Sequence, residues 1–179
     1  MNAREGDLAN GRSRSPTVSR TDPIGVFEHQ HTRHREMCDC LEAVADGLPD
    51  LVDQQLCASL AAMLRVDLPA HHRSEEEVLF PLLQMRAEPD QNVGGMLAQL
   101  RREHAIDEGY ADELCDLLDS LAAGGRPENP DMVGYMLRGF FESYRRHLHW
   151  EQAVILPLAR RLLTDDDLRG LTEQLSTRR

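Results

Sequence analysis

Apolar residues recur at three- and four-residue intervals along four long stretches of the chain, the period of a helix with one buried face. The first stretch starts near Thr21 or Asp22, either of which can cap a helix that has Pro23 at its first position. Its stripe runs Ile24, Phe27, His31, His34, Cys38, Leu41, Ala45, and Gly47-Leu48-Pro49 ends it. A second helix follows Pro49 with Leu56, Leu60, Met63 and Leu64 inward, and meets Pro69, which must kink or restart it. Glu88-Pro89-Asp90 to Gly94-Gly95 makes a break, after which Met96, Leu97, Leu100, His104, Ala111, Leu114, Leu118 and Leu121 form a third stripe. Gly124-Gly125-Arg126-Pro127 closes it. The fourth stripe is Met132, Met136, Phe140, Tyr144, His147, Glu151, Ile155 and Leu158, and a short helix from Asp165 to Gln174, capped by Thr164, finishes the chain.

Four long helices with short connections favour antiparallel neighbours. The expected architecture is all-α: an antiparallel four-helix bundle over residues 21–163, with a short C-terminal helix and tail over 164–179. Residues 1–20 lack hydrophobic periodicity and are rich in Arg, Ser, Asn and Gly, so they read as a disordered tail. A chain of 179 residues with 41% hydrophobic but only 4% aromatic residues suits such an Ala/Leu-rich helical core. The net charge of −11 argues against nucleic acid and anionic membrane surfaces, which need a clustered basic patch. No run approaches the roughly 20 apolar residues of a membrane span, and the first twenty residues carry no secretory h-region. A cytoplasmic location is expected, and monomer and homodimer are both compatible with the sequence.

Histidines change this picture. His31, His72, His104 and His147 all fall on apolar stripes, and two of them open His-x-x-x-Glu units, His72 with Glu76 and His147 with Glu151, 75 residues apart. Residues i and i+4 share a helix face, so each unit aims an imidazole and a carboxylate at one point. The settings repeat, HHRSEEEVLFPLL and HLHWEQAVILPLA, with a His-bearing helix before each. One inward His is more often a satisfied core residue than a ligand. Four imidazoles and two carboxylates inside a bundle would cost several kcal/mol each if unpaired, and a metal resolves that cost. The donor set, without thiolates, suits Fe, Mn or Zn and points first to a pair of irons sharing the carboxylates, with positions open for a small ligand. Cys38, Cys40, Cys57 and Cys115 form no C-x-x-C pair and read as reduced, largely buried thiols.

These residues resemble the hemerythrin-like, or HHE cation-binding, family. HQHTRHREMC around His31, HHRSEEEVLFP, REHAIDEG around His104 and HLHWEQAVILP look like its four helix segments in order, and the resemblance covers roughly residues 22–160. It implies an up-down-up-down bundle with a non-haem, carboxylate-bridged di-iron centre held by His31, His72, Glu76, His104, His147 and Glu151. Oxygen-carrying members have a further His on the third helix, four residues from its partner; here those positions are Leu100 and Glu108. Glu108 could supply an oxygen instead, and reversible oxygen carriage is put in doubt. The four-His, two-Glu set looks more like the iron–sulfur-cluster repair and nitric-oxide-responsive relatives, yet residues 1–21 lack the cysteine those proteins carry ahead of the bundle.

Several neighbours compete for these roles. His71 with Glu75 overlaps His72 with Glu76, the frame that better matches the family. His34 lies on the same stripe as His31 and could replace it. His29 and His149 are two residues from proposed ligands and turn roughly 200° away from the core. Glu77 and Asp107 could accept from imidazoles, and Tyr144 could either bond a bound ligand or pack in the core. Two functions are carried forward: a di-iron centre that reacts with O2, NO or peroxide, and an iron-binding sensor, store or donor without turnover, including a role in iron–sulfur cluster repair.

Overall fold

The computed structural model describes residues 22–177; the sequence's expected N-terminal tail lies outside them. All the regular structure among the described residues is helical, with no strand. Helix α1 (Pro23–Gly47) starts where Asp22 accepts the Ile24 N–H and Pro23 takes the first position. Helix α2 is continuous over residues 54–86 and is capped by Asp53. Helix α3 (Val93–Ala122), helix α4 over residues 130–162 and helix α5 (Asp165–Ser176) complete the chain.

Two boundaries differ from the sequence expectation. Gly94 and Gly95 do not break the chain but sit in the first turn of α3. The reversal is made one step earlier by Asn92, in the left-handed region at φ 48, which Asn tolerates better than most residues. Met132, expected inward, is 54% exposed, and the stripe of α4 begins instead at the buried Val133.

Pro69 does not restart α2, which runs through it. Three five-residue π turns interrupt otherwise α-helical hydrogen bonding: Met63–Asp67 and Glu75–Leu79 in α2, and Glu151–Ile155 in α4. Each ends in the same way, with an X-Pro pair: Leu68-Pro69, Phe80-Pro81 and Leu156-Pro157. A proline inside an α-helix lacks the N–H and drives its ring into the carbonyl four residues back. Here the N–H just before each proline reaches back five residues, from Leu68 to Met63, Phe80 to Glu75 and Leu156 to Glu151. The widened turn accommodates the ring, and the helix continues.

Helix α1 packs chiefly on α4 and α2 chiefly on α3, while α3–α4 and α1–α2 contacts close the ring. Two apolar cores form. One gathers Met37, Leu41, Leu60, Leu64, Leu114, Leu118, Leu137, Phe140 and their neighbours; the other gathers Ile24, Phe27, Leu79, Phe80, Leu83, Leu97, Ile155, Leu156 and Leu171. Helices α1 and α3 run from the second core to the first, and α2 and α4 run the opposite way. At the crossing level each helix puts polar side chains inward: His31 and His34, His71, His72 and Glu75, His104 and Asp107, His147 and Glu151.

Helix α5 covers the second core. Thr164 and Asp167 form a reciprocal cap at its start, and the Asp167 carboxylate also accepts two bonds from Arg86 at the end of α2, at 2.8 and 3.0 Å. Arg86 and then Thr164 hold this carboxyl far below its ordinary value of 3.8. The tie therefore stabilises the fold above that value and is lost as pH falls through the lower folded value. Asp167→Asn should lower the melting temperature at pH 7 by about 3–8 °C, from roughly 1–2 kcal/mol of cap and charged hydrogen bonds. The gap from the parent chain should narrow near pH 2; an equal gap at both pH values would contradict this account.

Candidate metal centre

The inward histidines share one arrangement. His31, His71, His72, His104 and His147 each give Nδ1 to an acceptor at the edge of the bundle: Gln152 at 3.3 Å, Gln30 at 3.2 Å, Glu108 at 2.9 Å, Glu76 at 2.7 Å and Glu103 at 3.1 Å respectively. Fixing Nδ1 outward leaves Nε2 pointing in. All five Nε2 atoms are buried without a hydrogen-bond partner among the described residues, as are both oxygens of Glu75 and of Glu151. Buried polar atoms are nearly always paired, so nine converging orphans mark a place built for something else.

The two carboxylates stand between the imidazoles. Glu75 Oε1 lies 3.6 Å from His31 Nε2, and its Oε2 lies 3.5 Å from both His71 and His104 Nε2. Glu151 Oε2 is 3.3 Å from His31 Nε2, and its Oε1 is 3.2 Å from His147 and 3.6 Å from His104. Donors about 2.1 Å from a common cation stand roughly 3.0 Å apart at a right angle and 3.4 Å apart at the tetrahedral angle. The observed spacings match co-ligands of a cation. Two groups with donor atoms within 4.8 Å of one another result: His31, His71, Glu75 and Glu151, and His72, His104 and His147. Glu75 and Glu151 each occupy the first position of a π turn.

Without a cation these close groups shift one another's protonation. Burial pulls His31 and His147 down, but their carboxylate neighbours outweigh it: Glu151 and Glu75 hold His31 at about 9, and Glu151 and Glu103 hold His147 at about 10. Burial, reinforced by neighbouring imidazoles, takes His72 down to about 4 and His71 well below its ordinary value. Burial and the nearby Glu151 push Glu75 up to about 7. Burial raises Glu151 too, but the close imidazoles of His104, His147 and His31 hold it well below the ordinary range. A divalent cation would take the place of these protons, and its binding would release them.

Of the residues singled out in the sequence, His31, His72, His104, His147 and Glu151 meet in this cluster. Glu76 does not: its side chain is 32% exposed and accepts from the outer nitrogen of His104. Glu75 takes the inner place and brings His71 with it. Glu108, 41% exposed, plays the same outer role toward His72 and contributes no oxygen to either group. His34 lies outside both groups and shares a 2.7 Å hydrogen bond through Nδ1 with the Tyr144 hydroxyl. His29, His149 and Glu77 are exposed. The sequence carried a signal for the inner frame: Pro81 follows His71 by ten residues and Glu75 by six, and Pro157 follows His147 and Glu151 by the same intervals. Superposing the repeats on their prolines pairs His71 with His147.

Tyr144 is fully buried, stacks on His147 with ring centroids 5.7 Å apart, and directs its hydroxyl at His34. Tyr144→Phe keeps the stacking and should cost about 1 kcal/mol with metal stoichiometry unchanged. Loss of bound metal in a melting-and-metal-count comparison would draw His34 into the ligand set.

One surface groove reaches the cluster. It measures about 650 Å³, lies between α3 and α4, and is lined by Met96, Leu100, Glu103, Asp107, His147 and Trp150 among others. Asp107 is 5% exposed, with Oδ2 unpartnered among the described residues. Burial pushes its carboxyl up to about 6 despite the pull of His147 and His104.

A helical bundle whose buried core layer is a nest of imidazoles and carboxylates defines the class: a metal-binding helical protein. The comparison with known families agrees. The family model for the hemerythrin HHE cation binding domain matches residues 22–159, and the chain belongs to that family. No curated protein matches it.

Proposed function

We propose that the chain is a non-haem di-iron protein, an up-down-up-down antiparallel four-helix bundle that binds or reacts with O2, NO or peroxide. The residues that would hold the metal are His31, His71, Glu75 and Glu151 with His72, His104 and His147. The observation that carries this reading is the nine inward donor atoms without partners. Two octahedral ions offer roughly twelve positions, so nine donors leave room for an outside ligand. Bound iron would supply one-electron redox chemistry and polarisation of that ligand.

The chain's own residues supply the rest. Outer acceptors hold each imidazole in one tautomer, the aromatic and aliphatic residues of both cores keep bulk water from the layer, and the α3–α4 groove offers a small molecule its approach to His147. The same residues would serve a sensor, store or iron donor without turnover, including one acting in iron–sulfur cluster repair. Sustained consumption of hydrogen peroxide separates that reading from an enzyme.

The test is anaerobic reconstitution with Fe(II), iron counting, and absorbance before and after separate exposure to O2, NO and peroxide. Two irons per chain with new oxo-bridge or nitrosyl bands are expected. One iron or none, or two irons whose spectrum ignores all three ligands, would overturn the proposal.

A further inference from the structure

The five inward histidines are backed unequally. His31 and His71 lean on neutral amides, Gln152 and Gln30. His72, His104 and His147 lean on carboxylates: Glu108, Glu76 and Glu103. This division coincides with the grouping of the inward atoms, which places His31 and His71 together and His72, His104 and His147 together. A carboxylate behind an imidazole makes the ring a stronger donor as well as fixing its tautomer, and losing such a partner typically costs 10–100-fold in metal affinity. An amide fixes the ring but adds no charge.

A competing effect has to be weighed. Glu75 and Glu151 are grouped with His31 and His71, and their charge would favour a cation there. Both, however, also face the other half: Glu75 Oε2 and Glu151 Oε1 each approach His104, and Glu151 Oε1 approaches His147 more closely still, at 3.2 Å. Their charge is divided between the halves, whereas the three outer carboxylates all serve one. The approach from solvent favours the same half, since His147 and Glu103 line the α3–α4 groove.

We infer that the half formed by His72, His104 and His147 is the tighter divalent-cation position and fills first, with Glu76, Glu103 and Glu108 as the positioning residues that set its affinity. The inference rests on the two-ion reading of the cluster and adds an order of filling to it.

Titration of the metal-free chain with Co(II) alone, followed by calorimetry and visible absorbance, tests the order. The parent chain should bind two ions in separate steps, the first at least tenfold tighter. Glu103→Gln keeps an acceptor for His147 but removes the charge, and should weaken the first step by about 10–100-fold with the second nearly unchanged. Glu108→Gln should do the same through His72, and Gln152→Glu should tighten the second step alone. Circular dichroism and melting of each variant verify the fold, and all three positions lie at the bundle's edge, where the substitutions are near-isosteric. Equal steps in the parent chain, or Gln variants that weaken both steps alike or only the second, would overturn the inference. A single ion per chain would instead sink the two-ion reading; the ranking would then stand if Glu103→Gln weakened that ion's binding and fall if it did not.

Discussion

Glu75→Ala should strip the chain of at least one bound ion, while Glu76→Ala should leave two. The neighbours differ by one position in sequence and by their whole environment in the fold. Glu75 is fully buried at the start of a π turn, with its oxygens turned to His31, His71 and His104. Glu76 points to the bundle's edge and meets only the outer nitrogen of His104. Removing an outer partner should weaken binding by about 10–100-fold. Removing a carboxylate that faces histidines of both groups should exceed that range and lower the stoichiometry itself. Metal counting after desalting, on proteins loaded with equal Fe(II), separates the two cases. Equal metal content in both variants would return the ligand role to the Glu76 frame.

Chelation should produce the largest change in stability. Five imidazoles and two carboxylates face one another in a layer that splits the hydrophobic interior in two, and their inward atoms have no hydrogen-bond partner among the described residues. Groups buried in this way cost several kcal/mol in the absence of a cation. Two ions, each present at about a thousandfold above its dissociation constant, would contribute roughly 8 kcal/mol. For a domain of this size that amounts to a melting temperature roughly 15–30 °C higher in the loaded protein than after exhaustive dialysis against a chelator. The measurement is a pair of calorimetric scans at pH 7. A difference below a few degrees would mean that the cluster does not hold its metal in the folded chain.

Much of the fold was legible because its signals are local. Asp22 and Thr164 announce their helices by cap chemistry, and the stripes from Ile24 to Ala45 and from Leu97 to Leu121 follow helical spacing without interruption. The errors lie where local signals compete. Gly94-Gly95 reads as a break, yet Asn92 absorbs the reversal and lets both glycines enter the helix. Met132 fits the apolar stripe of α4, but at the helix's first turn nothing covers it.

At the candidate site, hydrophobic periodicity found the level of the bundle at which the histidines gather, because four stripes switch from apolar to polar there. It could not choose between His71 and His72, since adjacent residues differ by only about 100° around the axis, and both in fact turn inward toward different groups. Nor does an ideal 3.6-residue period foresee a π turn, which widens the helix where Glu75 and Glu151 begin their turns. The outer acceptors Gln30, Gln152 and Glu103 carry no motif of their own; their role exists only once the helices are packed.

The three π turns make the length of the chain near the site part of its information. Each turn holds one residue more than an α-helix would fit into the same height. A single-residue deletion between Glu75 and Pro81 would not shorten the helix harmlessly, as it would a surface loop. It would close the wide turn into plain α-helix, taking away the turn that Glu75 opens and returning Pro81 to a carbonyl it cannot meet. In α2 and α4 alike, the distance from glutamate to proline acts as a ruler, and one residue fewer in that count would leave the proline ring without the wide turn that accommodates it.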